Sequence, residues 1–248
     1  MERKSRAQHE VEFFDRFVAE HGDYDVLGDG AYARLREAFV REVAPRSSER
    51  CLDLGCGTGA FTRRLRSLGL SLAGMDISPV SVERARALAP DVEYLVGDIT
   101  DTHLPAASRD ILLYSGVLHH FSTRTARLAV LREGHRLLAP GGRLFAYDPS
   151  AQSPSMWLYR DPRSPLFSDQ GKTENEVLLH RRELADELRE AGFADVRIRG
   201  LAGISFAYVE SRLANLILPL YNAYEQLLRH SPLEDRLGTF LVTVAAKR

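Results

Sequence analysis

Three glycines at alternate positions, Gly55, Gly57 and Gly59, close an apolar run that opens with Cys51-Leu52-Asp53-Leu54 and continues into Ala60-Phe61. No other stretch narrows the possible folds as much. It reads as a buried strand entering a sharp turn and then a helix, because glycine removes the side chain where backbone must bend or be approached closely. Asp53 lies inside the apolar strand, where a carboxylate is expensive unless it has a partner. A nucleotide-type ligand over the strand end, near the N-terminus of the next helix, accounts for both features.

The chain around this turn alternates. Strand patterns over 51–54, 71–76, 92–96, 110–114 and 143–147 are separated by helical patterns, among them 57–68 and 123–138, and by a helix opened by Ser78 and Pro79. Units of this kind build a parallel sheet with right-handed crossovers and helices on both faces. Upstream, Val11, Phe14, Phe17 and Val18, then Leu35, Phe39 and Val43, recur at helical spacing. They predict two helices that pack on the sheet or cover its site. Downstream, the proline-rich stretch 149–180 lacks periodicity and reads as a long functional loop. A helix over 181–191, a strand over 193–198, an apolar helix over 206–229 bent or broken near Pro219, and a last strand over 239–245 complete the pattern.

The 248 residues, 44% of them hydrophobic, suffice for one domain with a sizeable core. A net charge of −1 gives no general attraction to nucleic acid or an anionic membrane. Cys51 and Cys56 match neither zinc nor redox spacing, so buried reduced thiols and no metal are expected. The charged start Met1–Arg6 lacks an apolar core, so a signal peptide is not expected there, and no apolar run approaches ~20 residues. Stable membrane insertion is therefore not expected, and the cytoplasm is the expected compartment.

Five segments stand in order: Leu52-Asp53-Leu54-Gly55-Cys56-Gly57-Thr58-Gly59; Gly74-Met75-Asp76-Ile77-Ser78; Gly97-Asp98-Ile99; Tyr114-Ser115-Gly116-Val117-Leu118-His119-His120-Phe121; and Leu138-Ala139-Pro140-Gly141-Gly142-Arg143-Leu144. In these the chain resembles the class I S-adenosylmethionine-dependent methyltransferases over about residues 48–200 plus the last strand. The Val-Leu-His-His stretch resembles their small-molecule type 11 branch, which includes ubiquinone and menaquinone biosynthesis enzymes. The resemblance implies an α/β, Rossmann-like, doubly wound seven-stranded sheet, mostly parallel, in the order 3-2-1-4-5-7-6 with strand 7 antiparallel. It adds an N-terminal helical cap and a helical insertion between strands 6 and 7. Residues 1–248 then form one methyltransferase domain, with the cap at 1–46, the cofactor-binding core at 48–148, a substrate loop at 149–180 and the insertion at 201–237.

The resemblance also implies S-adenosylmethionine as cofactor and S-adenosylhomocysteine as product. Gly55, Gly57 and Gly59 would lie against the methionine part, with Asp53 reaching its ammonium end through water. Asp76 would take the ribose hydroxyls, Asp98 the adenine amino group and Ile99 the ring face. Ser115 would lie near the methyl group, Tyr24 would close over the cofactor, and Cys56 and Ile77 complete the set. His120 and His119 are the catalytic candidates. Neighbouring residues point in different directions, so at most one faces the substrate as a general base or hydrogen-bond donor. Tyr147 and Asp148 end strand 5 on the same rim. Trp157, Tyr159 and Phe167, with Arg160, Arg163 and Lys172, suggest a pocket for a partly apolar, anionic substrate.

The expected reaction is methyl transfer to oxygen or carbon of a small or lipid-like metabolite. Nucleic acid is not an expected partner, since there is no appended basic domain. Helix 206–229 is expected in the core or at a homodimer face. Three alternatives stay open: a nicotinamide dehydrogenase, whose loose glycine pattern Gly55, Gly57 and Ala60 also satisfy; a nucleic-acid or protein methyltransferase; and a catalytically inactive cofactor-binding partner subunit.

Overall fold

The computed structural model describes residues 6–23, 27–161, 163–164, 167, 176–206 and 212–248, with backbone alone at 6–10, 21 and 212–215. Its strands are β1 Arg50–Leu54, β2 Ser71–Asp76, β3 Glu93–Val96, β4 Arg109–Ser115, β5 Leu138–Pro149, β6 Ala194–Leu201 and β7 Phe240–Ala246. They form one sheet in the order β3-β2-β1-β4-β5-β7-β6. The pairs from β3 to β5 are parallel, and β7 runs antiparallel to both β5 and β6. The helices are α1 Arg6–His21, α2 Asp29–Val43, α3 Ala60–Arg64, α4 Pro79–Leu88, α5 Arg124–Leu137, α6 Pro154–Arg160, α7 Arg181–Glu190, α8 Arg212–Arg229 and α9 Glu234–Leu237.

The strands read as continuous apolar runs because both sheet faces are buried, and alternate side chains serve opposite faces. Leu52, Leu112, Tyr114, Leu144 and Ala146 join one core with Leu128 and Leu131 of α5 and Leu184 and Leu188 of α7. Cys51, Ile111, Leu113, Phe145 and Tyr147 join the opposite core with Leu35 and Phe39 of α2 and Phe61 of α3. Both cysteines are buried free thiols.

Three local expectations are corrected. The helix expected over 57–68 begins only at Ala60, since Gly55, Gly57 and Gly59 all hold positive φ, and it tightens into a 3-10 turn at Arg66–Leu68. The stretch expected as a loop over 149–180 contains α6. Its signal was present: Ser153 Oγ accepts from the Met156 N–H at 3.3 Å, and Pro154 occupies the first turn. Of the bend or break expected near Pro219, the break does not occur, since α8 runs through it; residues 207–211, expected to belong to this helix, lie outside the described residues. Buried Tyr221, Glu225 and Leu228 anchor α8, while Leu216, Leu220 and Leu227 are 75, 73 and 75% exposed. Glu225 accepts from the Thr239 hydroxyl and, at 3.2 Å, from the Ile204 N–H, which ties the insertion to the segments that leave β6 and enter β7. Among the described residues no helix is long and apolar enough to cross a membrane.

Glu133 on α5 holds the connection after β3. It accepts from the Thr102 N–H at 3.0 Å and from Arg136 at 2.7 Å. The Arg136 guanidinium, then the Thr102 hydrogen bonds, pull its carboxyl down to about 2 despite partial burial. A folded pKa below the unfolded one contributes stability above the unfolded value, and that contribution is lost as pH falls through about 4 towards 2. Glu133→Gln is thus expected to cost roughly 2–3 kcal/mol near neutral pH and almost nothing at pH 2. Urea unfolding of both proteins between pH 3 and 7 checks this; parallel pH profiles would contradict it.

Candidate functional site

The parallel strands deliver their C-terminal ends to one edge of the sheet, and the loops there enclose a cavity of about 450 Å³. The three glycines of the first turn serve different purposes. A Cβ on Gly55 would stand 2.6 Å from a Val117 methyl, and one on Gly59 2.5 Å from the Tyr94 hydroxyl, so both permit close packing. A Cβ on Gly57 would meet nothing within 4 Å; with φ +54°, this glycine lines the cavity. The Gly57 N–H donates to Asp76 Oδ2 at 2.8 Å, and the Ser78 N–H to Oδ1 at 2.9 Å. Asp76 is thus fixed at the cavity wall with a lone pair left on each oxygen. Burial raises its pKa, and the Ser78 and Gly57 N–H groups oppose that rise.

Asp53 lies behind this wall. Thr62 Oγ1 and Ser115 Oγ donate to its Oδ2 at 2.6 and 3.0 Å, while Oδ1 is buried with no hydrogen-bond partner among the described residues. Burial pushes its carboxyl up to about 6, and the Thr62 and Ser115 hydroxyls hold it from going further.

Of the two outcomes open for the N-terminal helices, both occur: α2 packs on the sheet, and each helix sends a side chain to the cavity. Phe14 of α1 and Tyr32 of α2 line the cavity. Asp23, which follows α1, accepts from the Thr58 hydroxyl and pairs with Arg63 at 2.9 Å, clamping that segment onto the glycine turn.

On the β4 side, the register that sets Ser115 opposite Tyr147 brings Asp148 under the turn Leu118–His120. Asp148 Oδ1 accepts from the His119 N–H at 3.1 Å and lies 2.9 Å from His119 Nδ1. Burial pushes the Asp148 carboxyl up to about 8, opposed by the His119 N–H and by His120. Tyr147 packs flat on Phe240 and edge-on to Phe61, and burial pushes its phenol up, so it presents a hydroxyl rather than a phenolate.

A family model described as a methyltransferase domain matches residues 52–146. An uncharacterized methyltransferase of Synechocystis sp. is 30% identical over 186 residues, covering 75% of this chain and 86% of that protein. The chain belongs to the class I S-adenosylmethionine-dependent methyltransferases, in the type 11 branch. A malonyl-[acyl-carrier protein] O-methyltransferase of Serratia marcescens is 32% identical over 192 residues, covering 73% of this chain and 74% of that one. Among solved structures, a Haemonchus contortus N-methyltransferase in complex with phosphomonomethylethanolamine and S-adenosylhomocysteine superposes with a TM-score of 0.66. It is 15% identical and covers 99% of this chain and 60% of its own, which shows the fold alone.

In this methyltransferase the cavity gathers Gly55, Cys56, Gly57, Asp76, Ile77, Ile99 and, at an exposed position, Asp98. Ser115 lines it as well, and so do both His119 and His120, where at most one was expected, because the tight turn Leu118–His120 turns both rings to the same side. Gly59 and Asp53 do not: the first packs on Tyr94, and the second acts from behind through Ser115. Tyr24 and Lys172 lie outside the described residues. Of the other aromatic and basic residues of the long connection, Arg160 reaches the cavity, Trp157 and Phe167 are exposed, and Arg163 pairs with Asp161 at 2.5 Å. Tyr159 instead packs edge-on against Tyr221. Sequence reasoning missed Asp148 as the partner of His119, although it placed Asp148 on the right rim. It also missed Glu176, Phe206 and Phe240, which line the cavity from distant segments that carry no motif.

Proposed function

We propose that this protein transfers a methyl group from S-adenosylmethionine to an oxygen or carbon of a small or lipid-like metabolite bound in the same cavity. One observation carries this reading. The open cradle at Gly57 and the fixed Asp76 carboxylate are polar features suited to an amino-acid end and a ribose, and they line one largely apolar cavity, while the unpartnered Asp53 Oδ1 lies buried behind its wall. Asp76 would hold the ribose hydroxyls, Ile99 the adenine face, Asp98 its amino group, and Asp53 the ammonium end through water. Residues 1–248 form one domain in this reading, and the exposed leucines of α8 are the surface that a homodimer would use.

When bound, S-adenosylmethionine supplies an electrophilic methyl carbon on a positively charged sulfur. The protein's own contribution is alignment and exclusion of water, the main levers for an in-line displacement. Phe14, Tyr32 and Phe206 give the site apolar walls from segments outside the sheet. With Nδ1 turned to Asp148, His119 directs Nε2 away from that carboxyl, and we assign it to accept the proton of a hydroxyl or acidic carbon. The name of the Serratia relative makes oxygen the acceptor in that protein, and Arg160 offers a charge for an anionic group here.

Calorimetric titration with S-adenosylhomocysteine tests the cofactor half. One site per chain is expected, with Asp76→Ala weakening it roughly 10–150-fold, the equivalent of one or two hydrogen bonds to a charged group. Absence of binding by the wild type, or unchanged binding by the variant, overturns the reading.

A further inference from the structure

The cavity contains a second constellation. His119, His120 and Glu176 each offer one donor atom, and these atoms lie within 4.8 Å of one another. We propose that they form a binding site for one divalent transition-metal ion of the zinc class, held by two imidazole nitrogens and one carboxylate oxygen.

Donor chemistry selects the ion. Imidazole with carboxylate suits zinc, cobalt, iron or nickel, whereas magnesium and calcium prefer all-oxygen sets. The spacing is close to what such an ion needs. With bonds of about 2.0–2.2 Å to a tetrahedral ion, two donors stand roughly 3.3–3.6 Å apart. The donors here lie within 4.8 Å of one another, so rotations of the three side chains that shorten their spacing by about 1 Å or slightly more bring them onto one ion.

Two features hold the donors there. The imidazole of His119 sits with Nδ1 2.9 Å from a carboxylate that is 1% exposed. This is the outer arrangement that metal-bound histidines adopt: it fixes the ring and directs the other nitrogen to the ion. The backbone then brings in the third donor, since the Val177 N–H donates to the His119 carbonyl at 2.9 Å and places Glu176 beside the histidine pair. All three residues line the cavity, so an ion would enter by the same route as other ligands.

The site bears on the proposed methyl transfer. An ion on Nε2 of His119 occupies the lone pair assigned to take the substrate's proton, so the two uses exclude each other and the loaded protein is the silent form. The competing explanation is a latch: the three side chains hold the long connection closed by hydrogen bonding among themselves and bind no ion.

The test is titration of the full chain with Co²⁺, followed by visible absorbance, and with Zn²⁺ by calorimetry, with S-adenosylhomocysteine binding measured on the same samples. One ion per chain is expected, undisturbed by excess Mg²⁺. Glu176→Gln and His120→Asn should each weaken it at least about tenfold, and Asp148→Asn by roughly 10–100-fold. No saturable binding by a protein that binds S-adenosylhomocysteine overturns the proposal. So does binding that Glu176→Gln leaves unchanged. Metal binding without S-adenosylhomocysteine binding supports the metal site and defeats the proposed function instead.

Discussion

Alanine at Gly59 is expected to destabilise the protein by about 2–5 kcal/mol, whereas alanine at Gly57, two residues away, should cost only about 1–2 kcal/mol and act on the ligand instead. Both glycines hold positive φ, +77° and +54°, so both variants carry the strain of a side chain in the left-handed region. They differ in what the new methyl group meets. At Gly59 it would stand 2.5 Å from the hydroxyl and 3.0 Å from Cζ of Tyr94. That ring is confined by Cys56, Val82, Ala85, Ala89 and Val92, and overpacking a filled core costs about 1–3 kcal/mol. At Gly57 the methyl would enter open space, so the fold should survive and, under the proposed function, the cofactor would lose its closest approach. A clash of the same size then appears as about a 10–100-fold loss of S-adenosylhomocysteine affinity. Urea unfolding and calorimetry on the two variants separate the effects. Equal destabilisation in both, or full affinity in Gly57→Ala, would contradict this division of labour.

Glu187→Ala is expected to destabilise the protein by about 3–5 kcal/mol, because it leaves the charge of Arg127 buried without its partner. Arg127 of α5 reaches Glu187 of α7 through two hydrogen bonds of 2.8 and 2.7 Å, with side chains 9 and 2% exposed. A third Arg127 bond, to the Phe121 carbonyl at 2.8 Å, fixes the end of the turn that carries both histidines. Arg127→Ala should therefore loosen the site as well as the helix pair. Replacing both residues together, Arg127→Met with Glu187→Leu, should recover most of the loss, since an apolar pair of similar volume avoids the desolvation of two charges. Unfolding curves of the single and double variants decide it; a double variant no more stable than Glu187→Ala would show that the pair is not the source of the effect.

Most of the fold was legible because its signals are local. Apolar runs marked the strands of a sheet buried on both faces, and Ser78-Pro79 marked the start of α4, where Ser78 Oγ accepts from the Ser81 N–H at 2.9 Å. The errors were also local in origin. The glycine turn delayed α3 because positive φ at every second residue, Gly55, Gly57 and Gly59, keeps a helix from starting before Ala60. The helix α6 was overlooked because the surrounding prolines masked a cap of the same Ser-Pro kind. Arg127 and Glu187 show the other limit: nothing in their own neighbourhoods distinguishes them from solvated charges, and only the packing of α5 on α7 buries them.

The sequence by itself determined that a turn with Gly57 at its centre, a carboxylate at Asp76 and a hydroxyl at Ser115 would meet at one edge of a parallel sheet. Each lies at or just beyond the C-terminal end of a parallel strand, and parallel strands end on the same side. Only the tertiary structure decided which histidine is held by Asp148 and what stands beside it. That depends on the β4–β5 register, which pairs Ser115 with Tyr147, and on the contact between Val177 and His119. Both are distant contacts set by packing and register, and no spacing within a single segment encodes them. The glycine turn pointed to a nucleotide-type ligand; the side chains opposite it were assembled from parts of the chain that meet only on folding.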